Sequence, residues 1–124
     1  GTVLYVSVSE LFDYIRSTFN GQSEESEHSI VNLLVSADLL VIDDLGAELG
    51  DMDAADPKAT AFVNRVLFKV FDGRQGKKTI ITTNLTGEAV MKAYDERITS
   101  RMFNTYRHIE FKYTRDKRKR KLPF

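Results

Sequence analysis

The sequence predicts an α/β fold: a mostly parallel sheet with helices on both faces, three layers in all. Three observations predict it. Short β-branched or apolar runs at residues 3–8, 39–42 and 79–83 alternate along the chain with amphipathic stretches. The run Leu39-Leu40-Val41-Ile42 is apolar at four successive positions, which suits a strand buried on both sides. The residues Ala59, Phe62, Val63, Val66, Leu67, Val70 and Phe71 recur at helical spacing and form a wide apolar stripe.

Each element has its own local cause. Val3 to Val8 reads as a strand. Ser7 and Glu10 have capping-box spacing, so a helix starts there, with Leu11, Phe12, Ile15 and Phe19 on one face and Asn20-Gly21 as its end. Residues 22–29 are polar and acidic and read as a surface loop. Ile30, Val31, Leu33 and Leu34 then suggest a short helix leading into the strand that ends in Asp43-Asp44. Residues 45–56 read as a Gly- and Asp-rich loop. Asp56-Pro57 supplies an N-cap and a first helical residue for the striped helix, which Gly73 to Gly76 close. Thr79 to Asn84 reads as a strand with a polar end. Thr86-Gly87 opens one long helix with Val90, Tyr94, Ile98 and Met102 on its apolar face, and residues 108–113 alternate as a final strand.

Composition limits what such a domain does. The chain has 124 residues, enough for one domain, and 18 Lys+Arg balance 18 Asp+Glu. A globally basic nucleic-acid binder is therefore not implied, although a local patch remains open. No cysteine is present, which removes disulfide scaffolds, thiolate metal sites and cysteine nucleophiles. Its absence is consistent with a cytoplasmic setting. No apolar run is long enough to span a membrane, and no signal-peptide pattern opens the chain.

In an open parallel sheet, ligands bind beyond the carboxyl ends of the strands. Asp43-Asp44, Thr83-Asn84 and the Ser7 turn all fall there. A carboxylate closing a buried strand is the Walker B arrangement. Asp43 suits the water shell of a Mg²⁺ ion, and Asp44 suits orienting or deprotonating an attacking water. The plainer reading is an acidic pair that caps a loop. Asn84 suits a hydrogen bond to that water or to a γ-phosphate, or simply starts a turn. Arg97 and Arg101 lie four apart and share a helix face. They suit an arginine finger offered to a neighbouring subunit, or a solvated face paired with Asp95 and Glu96. His28 and His108 lack partners at metal or triad spacing. Arg115, Lys117, Arg118, Lys119, Arg120 and Lys121 form a basic tail able to meet phosphates, or to stay solvated.

The segments Val41-Ile42-Asp43-Asp44-Leu45-Gly46-Ala47-Glu48, Lys78-Thr79-Ile80-Ile81-Thr82-Thr83-Asn84-Leu85 and Tyr94-Asp95-Glu96-Arg97-Ile98-Thr99-Ser100-Arg101-Met102, in this order, closely resemble the AAA+ ATPases that load replicative helicases. These are the DnaC/DnaI type, with the IstB transposition ATPases as near relatives. The resemblance implies a P-loop NTPase sheet, with residues 3–113 as a partial AAA+ core and 114–124 as a basic tail. It implies Asp43 and Asp44 as the Walker B pair, Asn84 as sensor 1, Arg101 as the arginine finger with Arg97 in the same box, and Arg118 as sensor 2. It further implies ATP and Mg²⁺ as cofactors of a full-length parent. The partners it implies are a replicative helicase, single-stranded DNA and further copies of the chain, with no membrane.

One part of the family pattern is missing. No segment of the 124 residues reads G-x-x-x-x-G-K-[ST], and Gly76-Lys77-Lys78 precedes a strand rather than a helix. The expected sheet therefore lacks its phosphate-loop strand, and the residues present should bind ATP poorly or not at all on their own. That strand would lie between residues 79–83 and 109–113, a gap of about 10 Å at ~4.8 Å per strand. The expectation is that these two edges pair directly or take up a partner chain. Two other readings of the whole remain: an IstB-like transposition ATPase, and a non-catalytic assembly or DNA-binding module. A flavodoxin-like binding domain would leave the Asn84 and Arg101 matches to chance.

Overall fold

Ser7 ends one element and caps the next. Its backbone is extended (φ −87°, ψ 138°) and its hydroxyl accepts the amide of Glu10, so the chain turns from strand β1 (Val3–Ser7) into helix α1 (Val8–Ser17) without a loop. The structure, a computed structural model, describes residues 1–18, 23–49 and 57–105. After α1 come helix α2 (Ser23–Ser36), strand β2 (Leu39–Leu45), a 3₁₀ turn (Ala47–Leu49), helix α3 (Ala61–Gly73), strand β3 (Lys78–Thr83) and helices α4 (Gly87–Ala93) and α5 (Glu96–Thr105).

The three strands form one parallel sheet in the order β1-β2-β3. Register pairs Tyr5 with Val41 and Val41 with Ile80. Alternation sends Leu40 and Ile42 to one face, where both are buried. A single core joins them to Phe12 and Ile15 of α1, Val31 and Leu34 of α2, Val66, Leu67 and Val70 of α3, and Val90, Tyr94 and Ile98 of α4–α5. Phe12 meets Phe62 edge to face, with centroids 5.5 Å apart. The opposite face carries Val3, Tyr5 and Ile80, which are exposed. The helices of the described residues bury their apolar stripes in this one core. β3 is an edge of the described sheet, and residues 108–113 and the tail lie outside the described residues.

Three elements differ from the sequence reading. Helix α2 begins at Ser23, inside the expected loop. An acidic residue there is buried rather than solvated: Glu27 is 5% exposed. It accepts Arg65 Nε and Nη2 at 3.2 and 2.8 Å and Lys69 Nζ at 3.0 Å, all from α3. Arg65 first, then Lys69, holds this carboxyl below the usual carboxylate range against the opposing effect of burial. Helix α3 begins later than expected, because Thr60 is its N-cap and takes the Val63 amide at 3.2 Å; Asp56 lies outside the described residues. The expected long final helix is two helices, broken where Tyr94 is extended (φ −113°, ψ 157°). Ala93 accepts the Ala59 amide there, and Asp95 caps α5 by accepting the Arg97 amide at 2.9 Å.

Arg74, the residue after α3, is the largest fully buried side chain at 1% exposure. Its Nη1 donates to the carbonyls of Leu34, Val35 and Ala37 at 2.8, 3.0 and 2.7 Å. Its Nε reaches the Thr79 hydroxyl and its Nη2 the Lys78 carbonyl. One guanidinium thus caps the end of α2 and fixes the start of β3.

Candidate functional site at the carboxyl ends of the strands

β2 runs straight from the core into two carboxylates. Asp43 is still in register, opposite Ser7 of β1. Alternation puts Tyr5 and Asp43 on the same face, and the Tyr5 hydroxyl donates to Asp43 Oδ2. From the other side the Thr82 hydroxyl donates to Asp43 Oδ1. The Thr82 bond first, then the Tyr5 bond, holds the Asp43 carboxyl below its ordinary range. The same bond raises the Tyr5 phenol.

Asp44 departs from regular strand geometry within β2. Its φ is +62°, the left-handed region, and the β2–β3 register shifts between Ile42 and Leu45. Its amide donates to Thr82 Oγ1 at 2.9 Å, so Thr82 holds both acids, one by side chain and one by backbone. The Asp44 carboxylate itself is exposed. A bulge of this kind at a strand end re-aims one side chain relative to the next.

Gly46 follows at φ +105°. A Cβ at this position would lie 2.7 Å from Leu85 Cδ1, so only glycine passes here. Leu85 comes directly after Asn84, which is exposed just beyond the end of β3. Asp43, Asp44 and Asn84 therefore share one edge of the sheet, at the carboxyl ends of adjacent strands.

The two arginines are elsewhere. Both guanidinium groups lie over the Phe68 ring of α3, Arg97 at 4.5 Å and Arg101 at 4.8 Å from its centroid. Arg101 pairs with Asp72 at 3.1 Å and donates to the Arg97 carbonyl at 2.8 Å. Its side chain is 29% exposed, against 61% for Arg97, whose partner is Asp95 at 3.4 Å. Among the described residues neither arginine contacts the acidic pair. Arg97 lines a surface recess of about 390 Å³ with Asn64, Arg65 and Lys69. Arg118 lies outside the described residues, and His28 is an exposed residue beside Asn32.

Oxygen donors at a strand end suit a hard cation held through water. Among the described residues no three His, Asp or Glu side chains gather closely enough to enclose a metal ion. The sequence reading missed Tyr5, Thr82, Glu48 and Glu27. Strand alternation was the available signal for Tyr5 and Thr82; nothing local marked Glu27.

No family model matches the chain. Similarity to individual proteins is clearer. The chain is 29% identical over 103 residues to the replicative helicase loader DnaC of Buchnera aphidicola subsp. Baizongia pistaciae, covering 82% of this chain. It is 26% identical over 103 residues to the DnaC loader of Buchnera aphidicola subsp. Acyrthosiphon pisum. Among solved structures, AMPPCP-bound DnaA from Aquifex aeolicus superposes with a TM-score of 0.58 at 19% identity, over 81% of this chain and 28% of that one. The chain is DnaC-like, on an AAA+ fold. A second structure, of a DNA replication initiation factor, agrees on the fold at a TM-score of 0.56 and 18% identity, over 83% of this chain and 29% of that one. The DnaC-like chain spans 38% of the length of the curated relatives it matches. Among its described residues no helix is long and apolar enough to cross a membrane.

Proposed function

We propose that this chain carries the acidic pair, the sensor and the arginines of an ATP-hydrolysing replication protein that loads a replicative helicase onto DNA. The observation that carries the reading is the separation just described. Two carboxylates and Asn84 sit together at the strand ends, while Arg97 and Arg101 lie over Phe68 of α3, out of contact with them. In this reading Asp43 would hold the water shell of a Mg²⁺ ion, whose charge would offset that developing on the phosphates. Asp44 takes the proton of the attacking water, and Asn84 orients that water. Arg97 and Arg101 serve a nucleotide bound by a neighbouring copy. The name of the curated relatives supports helicase loading, and the single-strand contact is assigned to the basic tail.

A second reading rests on one feature: the 124 residues contain no phosphate-binding loop. On that reading the chain is a non-catalytic assembly or DNA-binding module. An IstB-like transposition role would use the same residues. The deciding experiment is ATP hydrolysis by the protein that carries this sequence, with and without Asp44→Asn and Asn84→Ala. The ATPase reading predicts Mg²⁺-dependent turnover that each substitution lowers at least about tenfold. Absence of turnover, with self-association or DNA binding intact, favours the assembly module.

A further inference from the structure

The geometry points to Glu48 and Tyr94 as positioning residues that set the arginine helix α5 against the acidic end of β2. The consequence for catalysis rests on the ATPase reading above; the geometry does not. Tyr94 is 4% exposed and sits at the break between α4 and α5. Its hydroxyl lies 2.9 and 2.7 Å from the two oxygens of Glu48. Glu48 belongs to the 3₁₀ turn four residues after Asp44, and its Oε1 also accepts the Gly46 amide at 3.1 Å. Gly46 in turn is pressed against Leu85, next to Asn84.

The residues flanking Tyr94 are held from a different side. Ala93 accepts the Ala59 amide at 2.9 Å, and the Asp95 amide donates to Asn64 Oδ1 at 3.0 Å. Those two bonds dock the start of α5 on α3 and the residues leading into it. The Tyr94–Glu48 bond runs instead to the loop that follows the acids. Burial first, then the Glu48 bond, raises the Tyr94 phenol, so the hydroxyl keeps its proton and donates it to a carboxylate. Without Glu48 a buried hydroxyl loses its acceptor while the hydrophobic contacts of the ring stay. α5 then keeps those two bonds but loses its tie to the turn that follows the acids, and its start loosens with Arg97 and Arg101 aboard.

The test is amide hydrogen exchange on the full chain, comparing wild type with Glu48→Ala, Glu48→Gln and Tyr94→Phe. Tyr94→Phe keeps the ring and guards against simple unfolding. Glu48→Ala and Tyr94→Phe are expected to speed exchange in α5 by roughly fivefold or more, with β2 within about twofold of wild type. Glu48→Gln keeps an acceptor and restores α5. The inference is overturned if α5 in Tyr94→Phe exchanges as in wild type, if all amides accelerate equally, or if Glu48→Gln behaves like Glu48→Ala. Exchange is read without nucleotide, so a failed ATPase assay leaves this result standing. In the ATP-hydrolysing protein, Glu48→Ala lowers kcat with KM for ATP unchanged; a raised KM with unchanged kcat contradicts the positioning role.

Discussion

Thr82 donates its hydroxyl proton to Asp43 and accepts the amide proton of Asp44, so one β3 side chain holds both acids at the end of β2. Thr82→Val keeps the shape and removes both interactions. The Asp43 carboxyl is then expected to titrate closer to its ordinary value, because the largest cause of its depression is gone. A depressed carboxyl stabilises the fold above its unfolded pKa, and that share is lost as pH falls through the folded value. The stability gap between wild type and Thr82→Val should therefore narrow on acidification. Carbon-13 titration of the Asp43 carboxyl with urea unfolding at several pH values measures both effects.

Asp44 occupies left-handed backbone at φ +62°. Asp and Asn tolerate this region and a β-branched residue does not. Asp44→Asn should unfold at nearly the wild-type urea midpoint, and Asp44→Val should cost about 1–2 kcal/mol. Equal midpoints for the two variants would show that the backbone there relaxes without cost.

Arg74 joins the end of α2 to the start of β3 from a site with 1% exposure. Arg74→Met fills similar space but strips donors from the carbonyls of Leu34, Val35 and Ala37. A loss of about 2–4 kcal/mol in chemical unfolding is expected, since buried acceptors lose their partners. A loss under about 0.5 kcal/mol would mean that those carbonyls find other donors.

The path of the chain from β1 to β3 was largely legible, because Ser7 and Glu10, the apolar run 39–42 and the stripe from Phe62 to Phe71 are local signals. The acid pair and Asn84 were legible for the same reason: strand ends are set by pattern, and the sheet is parallel. What was not legible depends on tertiary partners. Glu27 looks like a solvated acid until Arg65 and Lys69 arrive from α3. Tyr94 keeps its apolar helical spacing, yet a hydrogen bond to Glu48 and the Asp95 cap break the helix there. The left-handed turn at Asp44 carries no sequence mark, since Asp is ordinary in strands' ends and loops alike.

The basic tail makes a prediction from charge alone. If Lys117, Lys119 and Lys121 meet nucleic-acid phosphates, reversing all three to Glu weakens single-stranded DNA binding and flattens its dependence on salt. Filter binding or anisotropy across a salt series reads both. Unchanged binding at low salt removes the tail from the interface.

If acids and arginines serve one nucleotide from different copies, mixing variants of the ATP-hydrolysing protein shows it most directly. An Asp44→Asn variant and an Arg97→Ala/Arg101→Ala variant are each expected to be nearly inactive. Mixed in equal amounts, they should recover about a quarter of wild-type hydrolysis, because in randomly mixed assemblies intact acids meet intact arginines at that share of interfaces. A mixture no more active than its two components would place both sets of residues at a site within one chain and contradict the account.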